Sequence, residues 1–117
     1  GSRASVRAMQ SPEVLATASL VSFLQLAAAK AVAPYLEPGQ LTVGTKISLE
    51  QLASTPVGTE IRAIVRLERV EGRRLGFEVE AYDEFEKVCE GTHERYIIDV
   101  EWFKKKVAGK LKRKKSV

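Results

Sequence analysis

Cysteine and histidine, the residues that most often bind metals or carry redox chemistry, occur once each in this sequence, as Cys89 and His93. One cysteine closes no intrachain disulfide and builds no cysteine-rich metal site, so it reads as a reduced thiol in an intracellular, cytoplasmic protein. One histidine supplies no histidine-based metal centre, and by itself it is more often a hydrogen-bonded structural residue than a general base. A Gly-rich phosphate loop, an HExxH pair and a G-x-S-x-G elbow are all missing. The longest apolar run, Leu20 to Val32, is broken by Ser22, Gln25 and Lys30. It is too short and too polar to span a bilayer. No secretory signal is evident.

Bases gather without acids at the C-terminal end. Lys104 to Val117 holds eight of the 19 Lys and Arg residues and no Asp or Glu. The rest of the chain carries 11 bases against 15 acids, a net of −4. An acidic body argues against a nucleic-acid-binding surface. The basic tail is suited only to nonspecific contact with RNA, membrane or phosphate, and its plainer reading is a solvated terminus. Gly1 and Ser2 read as a scar of tag removal. The expected organisation is a tag remnant or short first strand over 1–10, one domain over 11–103, and the basic tail over 104–117.

Within that domain, Ser11, Pro12 and Glu13 form a helix start: a capping hydroxyl, a proline where no donor is needed, and an acid at the positive end. Val14 to Ala33 continues it as far as Pro34. Apolar residues on every side predict a helix buried over most of its circumference, and five alanines from Ala27 to Ala33 would let a sheet wrap closely around it. Four strands follow as an antiparallel meander. In "LTVGTKISL" the alternation sets Leu41, Val43, Thr45, Ile47 and Leu49 against Thr42, Gly44, Lys46 and Ser48. Ile61 to Leu67 and Leu75 to Asp83 pair as a hairpin. A three-residue loop, Gly72 to Arg74, would put Arg66 opposite Glu80, Arg62 opposite Glu84 and Glu68 opposite Glu78. A last strand runs from about Lys87 to Val100, with Gly91 as a bulge, and "EWFKKKVAGKLK" is expected to add a short terminal helix. One helix on an antiparallel sheet is an α+β domain.

Three polar residues interrupt the helix. Thr17 and Gln25, eight apart, lie about 80° from each other around the axis, close enough to border one cleft. The plain alternatives are hydroxyls of Thr17 and Ser22 bonded back to the preceding turn and a satisfied buried amide at Gln25.

"EVLATASLVSFLQLAAAKAVAPYLEPGQLTVGT", "LASTPVGTE", "VEGRRL" and "EAYDEFEKVCEGTHER", in that order, resemble the fluoroacetyl-CoA thioesterase-like branch of the hot-dog superfamily, over about Pro12 to Val107. The resemblance implies a hot-dog fold, a homodimer, and hydrolysis of acyl-CoA at the dimer interface, with coenzyme A entering as part of the ligand and no separate cofactor or metal. It places the family's catalytic threonine on Thr17, its acid on Gln25 and its histidine on Gln51. Neutral amides do not accept a proton as carboxylate or imidazole does, so hydrolysis is expected to be weak, altered or lost. Glu50 is the neighbouring substitute base, although adjacent strand residues point to opposite faces. Gly44, Arg95 and His93 match positions near the site, and Phe23 is a candidate for acyl contact. A noncatalytic hot-dog dimer serving as a binding or scaffold protein is the alternative.

Overall fold

The structure, a computed structural model, describes residues 3–8, 17–54 and 59–115. Strand β1 (Arg3–Ala8) precedes helix α1 (Thr17–Val32), which passes into a 3₁₀ turn at Ala33–Tyr35. Strands β2 (Gln40–Gln51), β3 (Ile61–Glu71), β4 (Arg74–Tyr82) and β5 (Lys87–Asp99) follow, and helix α2 (Val100–Lys115) ends the described chain. The expected helix start at Ser11, Pro12 and Glu13 lies outside the described residues. The end of α1 is where Pro34 requires it, because proline lacks the amide hydrogen that another α-turn would use.

All five strands form one antiparallel sheet in the order β1-β3-β4-β5-β2. This is α+β and hot-dog, but not the simple meander expected: β2 pairs with β5, and the segment from Gln51 to Ile61 carries the chain from one side of the sheet to the other. A short first strand is present, with Ala8 opposite Ile61.

The inner face of the sheet presents Ile61, Ala63 and Val65 from β3, Leu75, Phe77, Val79 and Ala81 from β4, and Cys89 from β5, at the two-residue spacing of a pleated strand. Leu20, Leu24, Ala27, Ala28 and Val32 meet it from α1, at helical spacings of three and four. The alanines permit that close approach. The helix is not buried all round, however: Ser19, Ser22 and Lys30 are exposed and Leu26 is 52% exposed, because the sheet of one chain covers only one side of α1.

Two register details differ from the expected hairpin. The connection between β3 and β4 is a two-residue turn, Gly72 and Arg73, with Gly72 at a φ of 61°, and Glu71 pairs with Arg74. An even loop still matches the apolar faces because Glu68 bulges out between Leu67 and Arg69 and shifts the phase by one. Arg66 therefore faces Glu78 at 2.9 Å, Arg62 stacks over Tyr82, and the Glu68–Glu78 repulsion never arises. Gly91, in turn, is not a bulge. A Cβ there would collide with the Ser48 carbonyl, so glycine is what allows β2 to lie against β5 at this point.

The basic segment is helical over the described part, and every residue of α2 from Glu101 to Arg113 is exposed. Lys106 lies 5.0 Å over the Trp102 ring.

Leu24 is fully buried at the centre of this contact. Leu24→Ala is expected to lower unfolding free energy by about 2–5 kcal/mol. Gly91→Ala is expected to destabilise the domain by pushing β2 away from β5, seen as a lower urea midpoint and faster amide exchange along β2.

Candidate functional site

The β2 alternation is broken by a bulge at Thr45, between the pairs Gly44–Arg95 and Lys46–Glu94. The bulge inverts the expected phase of the first half of the strand. Thr42 and Gly44 are aligned with the inner-face residues Ile97 and Arg95, and beyond the bulge Ile47, Leu49 and Gln51 face inward opposite His93, Gly91 and Cys89. A polar threonine and a glycine on the helix-facing side mark where core packing gives way to something else.

What stands there is a buried hydrogen-bond chain. A carbonyl can only accept, so His93 donates through Nδ1–H to the Lys46 carbonyl at 2.8 Å. Its Nε2 then carries the lone pair and accepts from Arg95 Nη1 at 3.2 Å. Arg95 also donates through Nε to Thr42 Oγ1 at 2.7 Å and through Nη2 to the Thr42 carbonyl at 2.8 Å. His93 is 1% exposed and Arg95 7%. Burial holds the His93 ring below the ordinary histidine range, and the Arg95 cation adds to the effect against the opposing pull of the Lys46 carbonyl. Burial also lowers Arg95, although a guanidinium remains charged at any working pH. The ring is neutral and its only lone pair is committed to Arg95. His93 is thus built to hold Arg95 rather than to take a proton from water.

Gln25 approaches from α1. A Cβ at Gly44 would lie 2.8 Å from Gln25 Oε1, 3.2 Å from His93 Cε1 and 3.3 Å from Arg95 Nη1. These three side chains therefore converge on Gly44 and crowd the place that a side chain there would take, so that only glycine fits without a shift. Among the described residues neither end of the Gln25 amide has a hydrogen-bond partner, and no carboxylate lies within ion-pair distance of Arg95. Three of the five N–H groups of Arg95 are used, which leaves two.

The remaining candidates are arranged otherwise. Thr17 is the first described residue of α1, about 12 Å before Gln25 along the axis, and its side chain lies outside the description. Gln51 is on the inner face but seven residues beyond Gly44, roughly 20 Å along the strand, and its Nε2 donates to the Ala53 carbonyl at 3.4 Å. Gln51 and Gln25 do not meet within one chain. Glu50 points to the outer face, where it lines a cleft with Glu78, Glu80, Lys87 and Glu90. Lys87 bridges Glu80 at 2.9 Å and Glu90 at 3.3 Å there. The pleat of the strand separates Glu50 from the notch. Phe23 is half-buried against the core and lies about 200° around α1 from Gln25, so it does not enter the notch.

Thr42 and the Lys46 carbonyl, which anchor the two ends of the buried chain, carry no sequence motif. The one local signal was the run Thr42-Val43-Gly44-Thr45, polar and small residues in a strand whose neighbours are apolar.

A long helix laid on the inner face of a five-stranded antiparallel sheet, with a polar notch beside an edge strand, is the hot-dog architecture of the thioesterase superfamily. Three comparisons agree. The family model described as fluoroacetyl-CoA-specific thioesterase matches residues 2–101, and the chain belongs to that family. The fluoroacetyl-CoA thioesterase of Streptantibioticus cattleyicolor is 43% identical over 99 residues, which span 85% of this chain and 71% of that protein. A solved fluoroacetyl-CoA thioesterase superposes with a TM-score of 0.89 at 35% identity over 94% of this chain and 95% of that one. A thioesterase superfamily member from Thermus thermophilus gives a TM-score of 0.93 at 26% identity over 100% and 96%. Among the described residues no helix is long and apolar enough to cross a membrane.

The His93 geometry makes a pH prediction. Its folded-state value lies below the ordinary 6.5, so the stability carried by the neutral ring is complete above that value. It is lost as pH falls below it, when the unfolded chain binds a proton that the folded chain resists. Unfolding free energy from urea titrations is expected to fall between about pH 7 and pH 5, with a flatter profile in His93→Gln.

Proposed function

We propose that the protein binds a small acyl-CoA thioester in the notch formed by Gln25, Gly44 and Arg95, and hydrolyses it slowly or not at all. The observation that carries this reading is the convergence of an unpartnered amide and a buried guanidinium on a glycine at an edge strand. Concave, largely preformed sites with a few convergent polar groups are where ligands bind. Coenzyme A enters as part of the ligand, and no separate cofactor is called for.

A homodimer supports the same site. The free edge of β2 suits pairing with a second copy. Antiparallel pairing about a two-fold axis near Ile47 and Ser48 would lay Gly44 of one copy beside Gln51 of the partner subunit. That arrangement joins Gln25 and Gln51, which one chain keeps apart. A composite site across two subunits follows.

Hydrolysis needs a base to remove a proton from the attacking water as it adds to the thioester carbonyl, before the C–S bond breaks and the thiolate leaves. Gln25 and Gln51 orient ligands but accept no proton near neutral pH. Loss of a positioned general base costs about 10²- to 10⁴-fold. His93 is engaged by Arg95, and Glu50 faces the other side of the sheet.

The experiment is thiol release from a panel of acyl-CoAs. The double variant Gln25→Glu, Gln51→His is expected to exceed the native protein by roughly 10²-fold or more. Robust native turnover that survives Thr17→Ala would overturn the slow-site reading. Absence of thermal stabilisation by any CoA ester would overturn ligand binding and leave the scaffold. Gly44→Ala is expected to keep the fold but displace the Gln25 side chain, abolishing the thermal shift.

A further inference from the structure

Among the described residues, Arg95 is a cation buried without an anion. It is 7% exposed, and its hydrogen bonds go to a hydroxyl, a carbonyl and a neutral imidazole, none of which carries negative charge. Among the described residues no carboxylate is within ion-pair distance. The residue that meets Nη1 at Gly44 is Gln25, whose amide is neutral and makes no hydrogen bond among the described residues. An uncompensated charge in such a place is costly, and proteins keep one only when something pairs with it.

We propose that the acyl group bound in this notch carries its own negative charge. The ligand is a short ω-carboxyacyl thioester, of the malonyl or succinyl type, whose terminal carboxylate pairs with Arg95. This rests on the thioester-binding reading above and names its substrate class. The chemistry is complementary at each contact. The carboxylate accepts from the spare Nη1 hydrogen of Arg95, and a half-turn of the unbonded Gln25 amide, which exchanges Oε1 for Nε2 beside Gly44, lets Nε2 donate to a second acceptor on the same group, which an acid at position 25 would instead repel. Gly44 is exposed and adds no side chain of its own, so a ligand reaches the guanidinium past it, whereas a Cβ there would sit 3.3 Å from Nη1 and 2.8 Å from Gln25 Oε1. The Thr42 and His93 contacts fix the guanidinium before the ligand arrives, so little ordering is lost on binding.

The test compares isosteric pairs by calorimetry on the full chain: malonyl-CoA against isovaleryl-CoA, and succinyl-CoA against 4-methylpentanoyl-CoA. The coenzyme is common to both members, so its phosphates cancel. The carboxyacyl ester is expected to bind about 10- to 100-fold tighter, the range for a hydrogen bond to a charged group. Gln25→Glu supplies an internal partner for Arg95 without removing any buried group, and is expected to erase or reverse that preference. Equal or tighter binding of the neutral esters by the native protein overturns the inference while leaving thioester binding intact. A carboxyacyl preference unchanged in Gln25→Glu also overturns it, because the selectivity would then arise elsewhere. Binding of free succinate as tightly as succinyl-CoA would replace the thioester with a free dicarboxylate. Failure of all four esters to bind would overturn the thioester reading itself.

Discussion

The buried hydrogen-bond chain from the Lys46 carbonyl through His93 to Arg95 and Thr42 is the constraint on which the notch depends. It links β2 and β5 at two points on either side of the Thr45 bulge, in addition to the ladder bonds. The His93 Nδ1–H and three of the five Arg95 N–H groups are matched to acceptors, which helps hold a guanidinium in an interior that would otherwise expel it. Removing any member leaves a buried polar group unpaired, which is why the neutral tautomer of His93 and the placement of Arg95 are parts of one arrangement.

Helix and sheet supply the frame for that chain. The Leu20, Leu24, Ala27, Ala28 and Val32 face sits on β3 and β4, and this packing aims the neighbouring Gln25 toward β2. Small residues matter twice: alanines let α1 approach the sheet, and Gly44 adds no side chain where a helix side chain and two strand side chains meet. The other face of the sheet is a separate electrostatic environment, in which Lys87 neutralises Glu80 and Glu90 beside Glu50. Burial of charge is thus confined to the inner side, where the ligand is proposed to bind. Within the thioesterase framework, the two glutamines are proposed to leave recognition in place and withdraw proton transfer.

Much of the fold was legible in the sequence because it follows from periodicity. The α1 segment, the four later strands and their apolar faces could be read from spacings of three to four and of two. The strand order was not legible, since β2 and β3 are consecutive in the chain and yet separated by two strands in the sheet. Bulges at Thr45 and Glu68 escaped for a related reason: each inserts one residue and inverts the pattern locally, and only the partner strand reveals it. At the site, Gly44, Arg95, His93 and Gln25 were named from resemblance and do converge. Phe23 and Glu50, named beside them, face elsewhere.

The sequence alone determined that a helix packs on an antiparallel sheet here, with an acidic body and a basic C-terminal segment, and that positions 25 and 51 carry amides. These are properties of composition and local spacing, which need no partner. Only the tertiary structure decided that Arg95 is a buried cation with no counter-charge among the described residues, that His93 spends its lone pair on it, and that Gln25 and Gln51 lie far apart in one chain. Those facts depend on contacts between residues dozens of positions apart, and nothing in the local sequence around any one of them encodes the distance to the others.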